Sequence, residues 1–234
     1  MNLLEIKNVS VWYQKEKNIL DDVNFNVGQG VIVGLLGKNG QGKTTLLNTI
    51  TGIHTDYSGE ISICESTGIR NIGVKRKRFF VPDHPILFDE MTGKCYIEFL
   101  HQIYQKPWDE NSYNYYAQLF EYGKFAQQSI KTLSLGNMQK TTLIAAFMIR
   151  TPLLLLDEPL VGLDVMAIEN FYSEINEYIK EGNSVIFSTH LIEIIEKICT
   201  EVAILHNKRI IKRIELNGSC NVREEFNKVI ASEC

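Results

Sequence analysis

The chain has 234 residues and a net charge of −4, with 44% hydrophobic and 22% charged residues. That composition suits a soluble globular protein with room for one large domain or two small ones, and its acidic balance argues against a general nucleic-acid surface. The longest apolar runs, 143–149 and 153–156, fall far short of the roughly 18 residues of a membrane span.

In chain order, residues 2–13 read as a strand with Leu4, Ile6, Val9 and Val11 apolar. Val23 to Val27 alternates again and stops at the turn signal Gly28-Gln29-Gly30. Residues 31–36 are a continuous apolar run, as expected of a strand buried on both faces of a parallel sheet. It enters the glycine-rich stretch 37–42, and residues 44–50 read as the helix that leaves it. The basic run 75–78 reads as a solvated turn ahead of a strand. From Pro85 to Arg150 apolar residues fall at helical spacing, among them Ile97, Leu100, Ile103 and Tyr104. Tyr113, Tyr115, Tyr116 and Tyr122 read as helical packing residues rather than a cofactor box. Sheet texture resumes at 153–156, 184–188 and 202–205, and the tail 221–234 reads as a packed terminal helix. The expectation is an α/β core with a β subdomain from 1–84 and 151–234, interrupted by a helical subdomain at 85–150.

The five cysteines (Cys64, Cys95, Cys199, Cys220 and Cys234) are odd in number and form no C-x-x-C pair. With no signal-like N-terminus, reduced thiols in a cytosolic protein are expected, and no thiol metal site. His54, His84, His101 and His206 lack metal spacing and read as surface residues.

Gly37-Lys38-Asn39-Gly40-Gln41-Gly42-Lys43-Thr44 fits G-x-x-x-x-G-K-[ST] in full. Glycines let several backbone N–H groups converge on one anion, and the following helix N-terminus adds a favourable dipole. Lys43 is expected to reach the β- and γ-phosphates and the Thr44 hydroxyl to join Mg²⁺. Downstream, "LLLLDEP" places Asp157 at the C-terminal end of a buried strand, where a parallel sheet presents side chains to a ligand. Asp157 suits direct or outer-sphere Mg²⁺ binding. Glu158, expected on the opposite side of the strand, suits orienting or deprotonating the attacking water.

"LSLGNMQK" (133–140) precedes "LLLLDEP", followed by "GLD" (162–164) and "STH" (188–190). Together with the glycine loop, "ILDDVNFNVGQG" and "YSGEISI", this order resembles the ATP-binding cassette of ABC transporters over nearly the whole chain. The resemblance implies a P-loop NTPase, RecA-like core with an N-terminal antiparallel β subdomain and an inserted α-helical subdomain. It implies ATP and Mg²⁺ as ligands, with Thr45 completing the nucleotide loop and Tyr13 stacking on adenine (Trp12 is the lesser candidate). His190 would contact the γ-phosphate and hold Glu158. Asp164 would shape the seam between two cassettes. Ser134, Leu135, Gly136 and Asn137 would meet ATP held by the opposite cassette, so each chain owns two half-sites and a dimer is expected.

Two departures stand out. The usual signature L-S-G-G-Q is altered at Leu135 and Asn137; Ser134, Gly136, Gln139 and Lys140 resemble the S-x-G-M-x-Q-[KR] form of some exporters. Asp83 occupies the place of the family's Gln after V-P, where it either ligates the metal, reaches it through water, or contacts neither. The implied partners are a second cassette and a separate membrane-spanning permease, with the cassette peripheral on the cytoplasmic membrane face and no nucleic acid bound. Ile86, Leu87 and Phe88 are either the dock for a permease helix or core of the helical insert. The texture around Asp83 and the altered signature favour export of peptide, drug or lipid type. A soluble cassette ATPase of DNA repair or the ribosome is the alternative, disfavoured by the missing coiled coils and the single cassette.

Overall fold

The computed structural model describes residues 2–14, 17–216 and 221–231. Two sheets and eight helices build an α/β protein among those residues. The first sheet is antiparallel, in the order β2 (Lys17–Gly28), β1 (Asn2–Gln14), β4 (Tyr57–Ile63) and β5 (Ser66–Thr67). The second runs β10 (Arg209–Glu215), β9 (Glu201–His206), β3 (Ile32–Leu36), β8 (Ser184–Thr189), β7 (Leu153–Asp157) and β6 (Arg78–Val81). Its strands pair in parallel except for the antiparallel edge strand β10.

The continuous apolar runs have the meaning their texture predicts. Along β7, Leu153 and Leu155 pack towards the antiparallel sheet and helix α1 (Lys43–Thr51), whereas Leu154 and Leu156 join the core beneath the other helices. A strand with helices or sheet on both faces has no polar side, so alternation disappears. The second core is built with α5 (Leu135–Ile149), α6 (Val165–Lys180) and α7 (Ile192–Ile198), and α8 (Val222–Ala231) adds Val222.

Short α2 (Ile72–Lys75) precedes β6. Between β6 and β7 lie α3 (Gly93–Tyr104), α4 (Glu110–Leu119) and α5, in the stretch expected to be helical. Polar bonds tie these helices to the sheet layer. Glu174 of α6, only 5% exposed, accepts from Tyr115 Oη at 2.9 Å and Tyr116 Oη at 3.1 Å. Arg150, just past α5, donates to Tyr116 Oη at 2.8 Å. The buried carboxylate therefore has partners from another element, the condition for tolerating it inside.

Several expectations are corrected. Arg78 is not part of a solvated turn: it is buried, and its guanidinium bonds the carbonyls of Thr51, Ile69 and Val74. Backbone acceptors can satisfy an arginine fork that has no acidic partner nearby in sequence. His101 and His206 are buried rather than superficial, and only Tyr113, Tyr115 and Tyr116 of the four tyrosines lie in α4. Tyr122 follows that helix and is fully buried, sharing a hydrogen bond with Thr141 at 2.6 Å. Strand β10 carries no clean alternation and is missed by the sequence pattern. Of the cysteines, Cys220 and Cys234 lie outside the described residues, as do residues 232–234 of the expected tail helix; Cys64, Cys95 and Cys199 are free thiols. Among the described residues, no helix is long and apolar enough to cross a membrane.

Candidate nucleotide site

Strand β3 delivers the chain to the glycine loop, and α1 leaves it with Gly42 at the N-cap. Gly42 has φ 103°, and a Cβ there would lie 2.8 Å from Leu20 Cδ2. Only glycine accepts both constraints. The cap supplies no side-chain bond, so the first-turn N–H groups of α1 face the loop without a side-chain acceptor, the arrangement that suits an anion. Lys43 Nζ folds back over this loop, donating to Gly37 O at 2.7 Å and Lys38 O at 3.4 Å. Its burial lowers the ammonium pKa, opposed by the charges of Glu158 and Asp157.

A cleft of about 480 Å³ opens over the loop, lined by Asn39, Gly40, Gly42, Lys43, Thr44 and Thr45, with Tyr13 and Ile19 to one side. Asp83, Asp157 and Glu158 line it too. Lys38 is exposed beside the loop, and Gln41 Oε1 accepts from Asn207 N at 3.1 Å. Tyr13 is 59% exposed; its hydroxyl reaches Thr45 Oγ1 at 3.5 Å and its ring packs against His54 with centroids 4.5 Å apart. One face of the Tyr13 ring is thus backed. Trp12 lies outside this lining.

Asp157 ends β7 and is 2% exposed. Ser188 of the neighbouring β8 donates to its Oδ1, while Oδ2 has no hydrogen-bond partner among the described residues. Burial pushes its carboxyl pKa up, with Ser188 and Thr44 favouring the charged form and Asp83 and Glu158 opposing it. An unpartnered buried carboxylate oxygen is costly unless something else meets it.

Glu158 departs from the expected strand alternation. Its φ of 45° is left-handed, so the chain turns at this residue and both acids border one cleft. Both oxygens of its carboxylate have partners: Oε1 accepts from His190 N at 3.1 Å and meets His190 Nδ1 at 2.8 Å, and Oε2 accepts from Thr189 Oγ1 at 3.1 Å. Thr189 Oγ1 in turn accepts from Leu191 N at 3.2 Å, which orients its hydroxyl. The hydroxyls of Ser188 and Thr189 therefore serve the two acids in order. Sequence reading singled out His190 and passed over both, although they stand beside it in "STH".

Asp83 lines the cleft but spends its own oxygens locally, accepting from His84 N at 2.8 Å and lying 3.0 Å from His84 Nδ1. The segment from Ser134 to Asn137 does not line the cleft. Ser134 caps α5 by accepting from Asn137 N at 3.3 Å. A Cβ on Gly136 would sit 2.1 Å from Gly162 O, so only glycine allows this approach. Gln139 donates to Pro159 O at 3.1 Å, and Lys140 pairs with Asp164 at 2.6 Å. Asp164 also caps α6 through Ala167 N at 2.8 Å. Three contacts thus bind α5 to the segment 159–164 that follows Glu158.

The ABC transporter family model matches residues 20–161. The chain is 41% identical over 239 aligned positions to the putative ABC transporter ATP-binding protein AlbC of Bacillus subtilis, with 100% of both chains covered. It is 29% identical to the SkfA peptide export ATP-binding protein SkfE of the same organism, covering 91% of this chain and 89% of that one. A solved structure of an ATP-binding subunit of an ABC transporter superposes with a TM-score of 0.89 at 28% identity, covering 97% of this chain and 99% of the other. With its glycine loop, paired acids and histidine gathered at one sheet edge, the chain belongs to the ATP-binding proteins of ABC transporters and is an ATPase of that family.

Proposed function

We propose that the chain is one half of an ATP-driven clamp that powers export through a separate membrane-spanning subunit. The observation that carries this reading is that the Ser134–Asn137 face lies outside the chain's own nucleotide cleft. Two facing copies, or this chain and a related one, would bring each such face to the other's ATP. Within one cleft, Tyr13 stacks on adenine and the loop 37–42 with the α1 N-terminus takes the phosphates, Thr45 included. Lys43 exchanges its loop carbonyls for the β- and γ-phosphate oxygens. Glu158 accepts the proton of the attacking water. Thr189 and His190 hold it in place, leaving His190 Nε2 for the γ-phosphate. From the facing chain, Ser134 and the N–H groups at Leu135, Gly136 and Asn137 meet that phosphate. Asp164 keeps the seam in shape through Lys140 and the α6 cap.

Mg²⁺ fits the oxygens present. Asp157 Oδ2 is buried and unpartnered, and Thr44 stands beside it; hard oxygen donors suit this ion. Thr44 and Asp157 would hold it, with Asp83 linked directly or through water. Bound there, it offsets negative charge on the phosphate oxygens.

A groove of about 560 Å³ lies between α1, the segment 82–87 and α3, with Ile53, Pro82, Ile86, Leu87, Leu100 and Tyr104 among its walls. Ile86 is 89% exposed, whereas Leu87 packs with Tyr96, Ile130 and Leu133. An amphipathic permease helix suits such a groove. The name of the related SkfE supports a peptide as the exported class.

Dilution tests the clamp. ATP turnover per molecule should fall as the chain is diluted below its dimerisation range. Constant turnover, insensitive to changes at Ser134 and Gly136, would sink the proposal. From detergent extract the chain should bring down a polytopic membrane protein; recovery with ribosomes instead would favour the soluble alternative. Two substitutions probe the acids. Asp83→Asn should slow hydrolysis more than it weakens ATP binding, and unchanged turnover would remove Asp83 from the site. Thr189→Val should lower turnover about tenfold with ATP affinity intact, since a hydrogen bond to a charged group contributes about 1.5–3 kcal/mol. Wild-type rates in Thr189→Val would leave His190 as the one positioning residue.

A further inference from the structure

The groove continues into a patch of unpaired cations. Residues 69–78 hold five basic side chains and no acid, in a chain of net charge −4. Three of the five, Arg76, Lys77 and Arg78, are occupied by hydrogen bonds. Lys77 donates to Ser66 Oγ at 2.7 Å and Cys64 O at 3.4 Å. Arg78 is 3% exposed and bonds Thr51 O at 2.5 Å, Ile69 O at 2.6 Å and Val74 O at 3.3 Å. Those bonds draw together the end of α1, the loop before α2 and α2 itself. Arg76 Nε adds the end of α3 by donating to Ile103 O at 2.9 Å, and Lys106 stands just beyond.

Arg78 and Arg76 together therefore gather one outward surface from four segments. Arg70, Lys75 and Lys106 are exposed on it and form no ion pair among the described residues. Between them stand Ile53, Ile72 and Ile103, exposed by 66%, 64% and 48%. Ile53 also lines the groove assigned above to the permease helix, so patch and groove share a face. A surface that flanks the dock of a membrane-embedded partner is turned towards the bilayer. Lysine and arginine with exposed isoleucines match an anionic headgroup layer in both charge and polarity.

We propose that this patch rests directly on the membrane surface, with Arg70, Lys75 and Lys106 against acidic phospholipid headgroups and Ile72 and Ile103 at the headgroup boundary. The inference takes its orientation from the transporter reading, and its test is separate.

The purified full chain is mixed with vesicles of phosphatidylcholine alone or with added phosphatidylglycerol, and bound protein is read by flotation. It should float with the acidic vesicles and be largely, though not wholly, released by salt. Each cation near such a surface contributes about fivefold, so Arg70→Gln, Lys75→Gln and Lys106→Gln together should weaken binding on the order of a hundredfold. ATP binding and turnover of this triple variant should match the wild type. Ile72→Ser should weaken the binding that survives high salt. Equal flotation with both vesicle types, or wild-type binding by the triple variant, overturns the proposal. So does a wild-type chain that floats with neither; loss of permease co-purification in the triple variant would then assign the cations to the protein partner. Salt-sensitive flotation without any permease co-purification would support the patch while refuting the transporter reading.

Discussion

Glu158→Gln is expected to lower ATP turnover by about a hundred- to ten-thousand-fold while ATP remains bound, the range associated with losing a positioned general base. The substitution keeps the size of the side chain and removes its basicity. Glu158 stands in a left-handed backbone conformation, φ 45°, which costs a non-glycine residue on the order of 1–3 kcal/mol. The surrounding bonds that hold it there come from Thr189 and His190 of one adjoining segment. Strain kept at a carboxylate on the edge of the glycine-loop cleft argues for a role in reaction rather than in folding. Phosphate release and equilibrium nucleotide binding, measured on the same preparation, separate the two effects. Turnover within tenfold of the wild type would move the base elsewhere.

Lys43→Ala is expected to weaken ATP binding ten- to a hundredfold or more and to leave no measurable turnover. Hydrogen bonds to charged groups contribute about 1.5–3 kcal/mol each, and the proposed role gives the lysine bonds to two phosphates. Burial already lowers its pKa, with desolvation the largest cause and Glu158 and Asp157 opposing it. A desolvated ammonium held against Gly37 O and Lys38 O has poor substitutes for water, and phosphate oxygens are better ones. Because the residue is buried, thermal melting must show that the variant is folded before its affinity is read. Undiminished ATP affinity in a folded Lys43→Ala chain would overturn the phosphate role.

The altered signature reads differently once its neighbours are known. Leu135 and Asn137 depart from the usual motif, yet Gly136, Gln139 and Lys140 each contact the segment between Pro159 and Asp164. Movement of α5 towards a facing cassette would be felt next to Glu158. In this chain α5 and the segment that follows Glu158 are mechanically joined by a close backbone approach, one hydrogen bond from the Gln139 amide and one ion pair. The Lys140 side of that pair is only 8% exposed; losing either partner would cost more than at an exposed bridge.

Much of the candidate site was legible in the sequence. The glycine loop, Asp157, Glu158 and His190 are local signals: each depends on a few consecutive residues at the end of an apolar strand. Strand boundaries followed for the same reason, since burial on both faces removes every polar residue from 153–156. What the sequence left open was everything that joins distant segments. Nothing local says that Arg78 will turn inward to bond three carbonyls, or that Thr189 will reach Glu158 across 31 positions. Nor does alternation reveal that a left-handed Glu158 brings both acids to one cleft. Short-range chemistry is written in neighbouring residues, because steric and periodic rules act along the chain. Pairing and exposure were decided by the tertiary structure, because partners for buried charges are found only where the folded segments meet.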